Sequence, residues 1–174
     1  PQRNADQWIA SLDKMRTLGA ENLVSAHHLP ITGVENVQAA LTAHRDAIQW
    51  LRDETIRAIN RGESASDFAA RVKLPTHLEE NPYLTQLTGS VAWAARTMYS
   101  SYAGWFDERP ETIQPVAPKV AARREVELMG GADAVLAAAN KARDEGDHAW
   151  SVHLLAKLQR AGVKTETHED ANDR

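Results

Sequence analysis

The sequence predicts a mainly α-helical chain that begins on the closing edge of an α/β layer. Three observations predict it. Apolar residues recur at three- and four-residue spacing through most of the chain. Residues 34–61 run without a glycine or proline. A short run with strand character, Asn22-Leu23-Val24-Ser25-Ala26, lies near the start and is followed by a loop broken by Pro30 and Gly33.

The elements follow in order. Trp8, Ile9, Leu12, Met15 and Leu18 set a helix over 5–18, with Gly19 as its stop. Residues 22–26 read as a strand and His27 to Gly33 as a loop, so that helix, strand and loop close an α/β domain lying upstream. Val34, Val37, Leu41, His44, Ile48, Leu51, Thr55 and Ala58 share one face of a helix over 34–61. At 1.5 Å per residue it is roughly 42 Å long, a length that usually bridges layers or lies along a partner. Ser64 or Ser66 caps a short helix at 66–72, and Pro75, Pro82 and Gly89 make 73–89 loop-rich. A helix over 90–103 turns Val91, Ala94, Ala95, Met98 and Tyr102 to the core, and aromatic side chains crowd its end. Gly104, Pro110, Pro115 and Pro118 make 104–118 an ordered turn region. A helix over 117–129 stops at Gly130-Gly131. Residues 133–145 and 147–161 form a helical hairpin, with Asp147 as N-cap and Trp150, Leu154, Leu155, Leu158 and Ala161 as the inner stripe. Residues 165–174 are polar and read as a linker or tail.

Composition narrows the function. A net charge of −4 with scattered basic residues does not favour nucleic acid or an acidic membrane surface. No stretch approaches the roughly 20 apolar residues of a membrane span. The lack of cysteine excludes disulfide scaffolds, thiolate metal sites and cysteine nucleophiles, and fits cytosolic and periplasmic proteins alike. The sequence starts at Pro1, so any targeting segment lies upstream of it.

His27-His28 is the candidate for metal chemistry, since a neutral imidazole at a strand end is a common zinc donor. Adjacent histidines on an extended segment point to opposite sides, so one of the two can face a given metal. A zinc site needs three or four ligands, and no H-x-H-x-D-H or H-E-x-x-H cluster accompanies the pair. By spacing alone a structural or surface role is the commoner outcome. The cluster Tyr99, Tyr102, Trp105 and Phe106, with Asp107 beside it, reads as core or as an association surface. No phosphate-binding glycine loop and no G-x-S-x-G elbow is present.

Taken together these segments have a family likeness. Ala26-His27-His28-Leu29-Pro30-Ile31-Thr32-Gly33 and Arg45-Asp46-Ala47-Ile48 resemble the end of the metallo-β-lactamase-fold domain of the alkylsulfatases and the helix leaving it. Tyr99-Ser100-Ser101-Tyr102-Ala103-Gly104-Trp105-Phe106-Asp107, the prolines after it, Gly130-Gly131 and Gly146-Asp147-His148-Ala149-Trp150 resemble that family's dimerisation domain. The resemblance implies a zinc-dependent hydrolase of alkyl sulfate esters. It divides the chain into a catalytic-domain edge (1–33), a helical dimerisation domain (34–164) and a tail (165–174). It also implies a dinuclear zinc centre with His27 as one ligand and the other ligands upstream, a homodimer formed through the long helix and the aromatic region, and a sterol-carrier-like domain downstream. Leu29 and Thr32 stand where many members have Trp, Thr88 where tyrosine is common, and Glu108-Arg109 in place of a glycine-containing turn. These departures bear on the substrate more than on the fold. The main alternative is a non-enzymatic helical adaptor, against which stands that the hairpin at 133–161 supplies one tetratricopeptide-like unit where solenoids need about three. A second alternative keeps the metallo-β-lactamase fold and hydrolyses another ester.

Overall fold

The structure, a computed structural model, describes residues 4–86, 89–106 and 109–163. The chain is mainly α-helical and divides into two compact units, Pro1–Arg109 and Pro110–Arg174. Thr88, Asp107, Glu108 and the polar stretch 165–174 lie outside the described residues.

In the first unit, α1 (Ala5–Arg16) leads into two short strands, β1 (Asn22–Leu23) and β2 (Ile31–Thr32). They pair antiparallel, with Asn22 opposite Thr32 and Leu23 opposite Ile31. This corrects the reading of a single strand over 22–26. The backbone leaves the ladder after Leu23, and Ile31-Thr32, expected in the loop, supplies the partner strand. So small a hairpin is not stable alone. Leu23 and Ile31 hold it by packing on the first-unit core.

The long helix α2 (Val34–Asn60) follows at once. Gly33 opens it at φ +97°, a conformation that disfavours any side chain, and a Cβ there would lie 3.3 Å from the Asn36 amide nitrogen. That amide donates to the Thr32 carbonyl at 2.9 Å, tying the hairpin to the first turn. Val37, Leu41, Ile48, Leu51, Thr55 and Ala58 are buried as the spacing predicts, with Ala40 and Ala43 added. Val34 is exposed, because the helix begins there with no layer over it. The hydroxyl of fully buried Thr55 donates to the Leu51 carbonyl at 2.7 Å, which meets that group's own need for an acceptor.

Ala5, Ile9 and Leu12 of α1 enter the same core as α2. Trp8, Met15 and Leu18, expected on that face, stand more exposed, since α1 ends at Arg16 and its buried stripe is one residue out of step with them. Asp6 lies 2.9 Å from Arg52 and Asp13 lies 3.3 Å from Arg45. Two carboxylates seven residues apart thus meet two arginines seven apart, as in antiparallel helices. Each exposed pair is worth a few tenths of a kcal/mol, so the ladder sets register more than stability. In this unit α1, the hairpin and α2 share one core.

Ser64 caps α3 (Ala65–Arg71) by accepting from the Asp67 amide at 3.1 Å. Phe68 in α3 is the largest fully buried side chain. The loop-rich stretch holds α4 (Thr76–Glu79) and a 3-10 turn at Pro82–Leu84. α5 (Val91–Ala103) buries Ala95, Met98 and Tyr99. Tyr102, expected in the core, is exposed, because its position in the last turn of α5 extends past the helices it packs on. The Tyr99 hydroxyl donates to the Glu63 carbonyl at 2.7 Å, anchoring α5 to the α2–α3 turn. Arg71 bonds both Glu63 carboxylate oxygens and holds that carboxyl below the usual carboxylate range, against the opposing cost of burial. The stability from this pair is present above the ordinary carboxylate range and is lost as pH falls through the lowered value. Tyr99→Phe should cost about 1–2 kcal/mol in urea unfolding, the range for a carbonyl left without its donor. No loss at all would mean that this bond does not hold α5.

The second unit is built from α6 (Pro118–Leu128), α7 (Ala132–Asp144) and α8 (His148–Ala161). Its own core contains Ala122, Val126, Val135, Ala139, Leu154, Leu158 and Ala161. Gly130 and Gly131, both with φ above +90°, reverse the chain between α6 and α7. Asp147 caps α8 by accepting from the Trp150 amide at 3.1 Å. Arg123 donates to the Ala161 carbonyl at 3.0 Å, and Lys157 meets Glu125 at 2.5 Å, so α6 and α8 run antiparallel. Trp150 and Leu155, expected on the inner stripe, are exposed, and Trp150 stacks on His153 with ring centroids 5.0 Å apart. Among the described residues no helix is long and apolar enough to cross a membrane.

Candidate functional site

Two features of the first unit carry the residues singled out by the sequence. One is the loop between β1 and β2. The Ser25 hydroxyl accepts from the His28 amide at 3.0 Å and donates to the His28 carbonyl at 3.4 Å, which folds Ala26–His28 into a bend. Strand alternation therefore does not set where the two histidines point. The His27 ring is exposed and makes no hydrogen bond or ion pair among the described residues. Among those residues no group of three or more His, Asp or Glu side chains is placed to hold a metal. The donor set fits a zinc centre only as the source of one imidazole.

The loop overhangs α2. A cavity of about 870 Å³ is walled by Leu12, Met15, Ile31, Leu41 and the two histidines. A second, of about 240 Å³, runs between α2 and α5 and is lined by Ile48, Leu51, Val91 and Met98. His28, His44 and Tyr83 belong to both walls. The His44 ring nitrogen Nδ1 lies 3.0 Å from the Ala40 carbonyl. A carbonyl only accepts, so Nδ1 carries the hydrogen. The sequence placed His44 on the apolar face of the long helix, and gave no sign that it lines a cavity with Tyr83.

The second feature is the aromatic end of α5, which the structure divides in two. Tyr99 is buried and bonded to Glu63. Tyr102 donates to Asp6 at 3.2 Å and joins the Arg52 network, in which Asp53 first and Tyr102 next hold the guanidinium pKa above its ordinary value. Trp105 and Phe106 continue past the helix as an edge-to-face pair with centroids 5.9 Å apart. Trp105 is 78% exposed and Phe106 37%. Asp107, expected beside them, lies outside the described residues. An exposed tryptophan of this kind, on a segment not covered by its own unit, has the composition of an association surface.

The comparisons with known proteins agree with this arrangement. The family model described as alkyl sulfatase dimerisation matches residues 64–173. A linear primary-alkylsulfatase of Pseudomonas sp. (strain ATCC 19151) is 41% identical over 148 residues, covering 84% of this chain and 28% of that protein. The alkyl/aryl-sulfatase BDS1 of Saccharomyces cerevisiae is 32% identical over 159 residues, covering 90% of this chain and 25% of the yeast protein. Among solved structures, the stereoselective inverting sec-alkylsulfatase Pisa1 from Pseudomonas sp. superposes with a TM-score of 0.79 at 34% identity, over 90% of this chain and 25% of that one. The chain spans about a quarter of the length of the relatives it matches. With the family model covering most of the chain and relatives of the same kind aligned along nearly all of it, the chain belongs to the alkylsulfatase dimerisation family.

Proposed function

We propose that this chain is the dimerising part of a zinc-dependent hydrolase of alkyl sulfate esters. In this reading residues 1–33 close the metallo-β-lactamase-like catalytic domain and residues 34–164 form the dimerisation domain. The observation that carries it is the match of residues 64–173 to the dimerisation family, extended to the histidine loop by relatives named as alkylsulfatases. His27 supplies one ligand, and the remaining ligands come from the preceding catalytic segment. Its exposure, and the absence of other partners for its ring among the described residues, suit it to that role. His27 would hold zinc together with those ligands, and the metal would supply Lewis-acid polarisation of the ester and an activated water. A sterol-carrier-like domain after the helical region belongs to the same reading. The test is the full-length enzyme supplied with an alkyl sulfate such as sodium dodecyl sulfate. Release of inorganic sulfate with about two zinc ions per protomer is expected, and sulfate release that persists after complete zinc removal would contradict it.

Dimerisation through the aromatic region follows from the same reading. An obligate interface of this type buries more than about 2,000 Å². Trp105, exposed on the surface of its own unit, is its anchor. Trp105→Ala should weaken association by roughly 2 kcal/mol, about 30-fold in Kd, in sedimentation at low protein concentration. A variant that stays fully dimeric under those conditions would place the anchor elsewhere.

A further inference from the structure

We infer that Ser25 is a positioning residue for His27: its hydroxyl closes the turn that presents the imidazole to a zinc ion. The inference rests on the hydrolase reading above, in which His27 supplies one metal ligand. Its grounds are the hydrogen bonds of the β1–β2 connection. The base of the hairpin is held without Ser25. The Gly33 amide donates to the Glu21 carbonyl at 2.8 Å, and the Asn36 side-chain amide donates to the Thr32 carbonyl at 2.9 Å. Leu23 and Ile31 pair across the ladder and pack on the core. The loop between the strands, 24–30, is exposed along its whole length. Among the described residues the hydrogen bonds lying within that loop are those of Ser25, which accepts from the His28 amide at 3.0 Å and donates to the His28 carbonyl at 3.4 Å.

One hydroxyl thus grips both backbone groups of His28, three residues on, and Ala26 and His27 form the span between. The His27 backbone cannot swing freely while both bonds stand. A hydroxyl donates and accepts at once, so serine and threonine can close this turn and alanine cannot. Without the turn, an exposed ring on a loop fixed at its two ends samples many directions, and metal binding has to order it. With the turn, the ligand is placed before the metal arrives, as a tight metal site requires. Ser25 acts through the backbone and leaves the His27 ring nitrogens to the metal. It also does little for the fold, because the hairpin is anchored by its ladder and by core packing at Leu23 and Ile31. That difference separates a positioning role from structural support.

The experiment compares Ser25→Ala and Ser25→Thr with the parent in the full-length enzyme. Zinc affinity is read by competition with a chromophoric chelator, and ligand geometry by the visible spectrum of the cobalt-substituted enzyme. Ser25→Ala should weaken zinc binding about 10–100-fold, the usual effect of losing a group that orients a metal ligand. Its cobalt spectrum should shift as well. Ser25→Thr keeps the hydroxyl and should restore both affinity and spectrum. The urea midpoint of the zinc-free enzyme should be the same for the parent and Ser25→Ala, since the loop is exposed. Parent zinc affinity and an unchanged cobalt spectrum in Ser25→Ala overturn the inference. A zinc loss matched by an equal fall in the zinc-free urea midpoint overturns it too, because Ser25 then merely supports the fold. A parent enzyme that binds no zinc removes the hydrolase reading and this inference together, whereas a zinc-loaded parent with an unaffected Ser25→Ala variant removes this inference alone.

Discussion

His27→Ala in the full-length enzyme should lower alkyl sulfate turnover more than 100-fold and reduce bound zinc below two per protomer. Altering a residue that merely orients a metal ligand typically costs 10–100-fold, and removing the ligand itself costs more. The same change should leave folding nearly untouched. The His27 ring is exposed and bonds to nothing among the described residues, while the bend around it is made by Ser25 and the His28 backbone. Its stability should stay within about 0.5 kcal/mol of the parent, as for surface changes away from special features. Zinc content and sulfate release, measured together with a urea melt, separate loss of a ligand from loss of the fold. A variant with full zinc and full turnover would remove His27 from the metal centre.

Phe68→Ala should destabilise the first unit by about 3–5 kcal/mol, the usual cost of emptying a fully buried aromatic site. Phe68 is fully buried in the seven-residue α3, in the core that α3 shares with α2 and α5, and the Arg71 guanidinium sits 5.3 Å from its ring centroid. Short helices cannot shift far to close such a gap without breaking the Ser64 cap and the Arg71–Glu63 pair. Because a small domain has a total stability of roughly 5–15 kcal/mol, the loss is a large share of it. The second unit has its own core, so amide exchange over 118–161 should be unchanged while protection falls in α2, α3 and α5. A loss under about 1 kcal/mol would mean that Phe68 is not a keystone of that core.

Phe68 also shows where sequence reading stopped. The long helix was legible because 34–61 lacks glycine and proline and its apolar positions repeat over many turns. The Asp147 cap, the Gly130-Gly131 stop and, as one of two candidate serines, the Ser64 cap were legible because their chemistry is local. A seven-residue helix has two turns, too few for a stripe to identify Phe68 as its inward residue. On α5 the residues Ala95, Met98, Tyr99 and Tyr102 share one stripe, and only the packing decides that Tyr99 is inside while Tyr102 reaches Asp6. The β1–β2 pairing needs two residues on each side, below any periodicity. The ladder of Asp6 and Asp13 with Arg45 and Arg52 did leave a trace, equal seven-residue spacings of opposite charge. At the candidate site, His27 was singled out by residue type and Trp105 by aromatic density. That His44 and Tyr83 line the same cavities depends on tertiary packing that no spacing between residues 44 and 83 encodes.

Self-association of the 174-residue chain is tested most directly by sedimentation equilibrium at micromolar concentration. The prediction is a single species of twice the 19.2 kDa chain mass, shifted towards the chain mass by Trp105→Ala. A parent chain that sediments at 19.2 kDa at every concentration would contradict it.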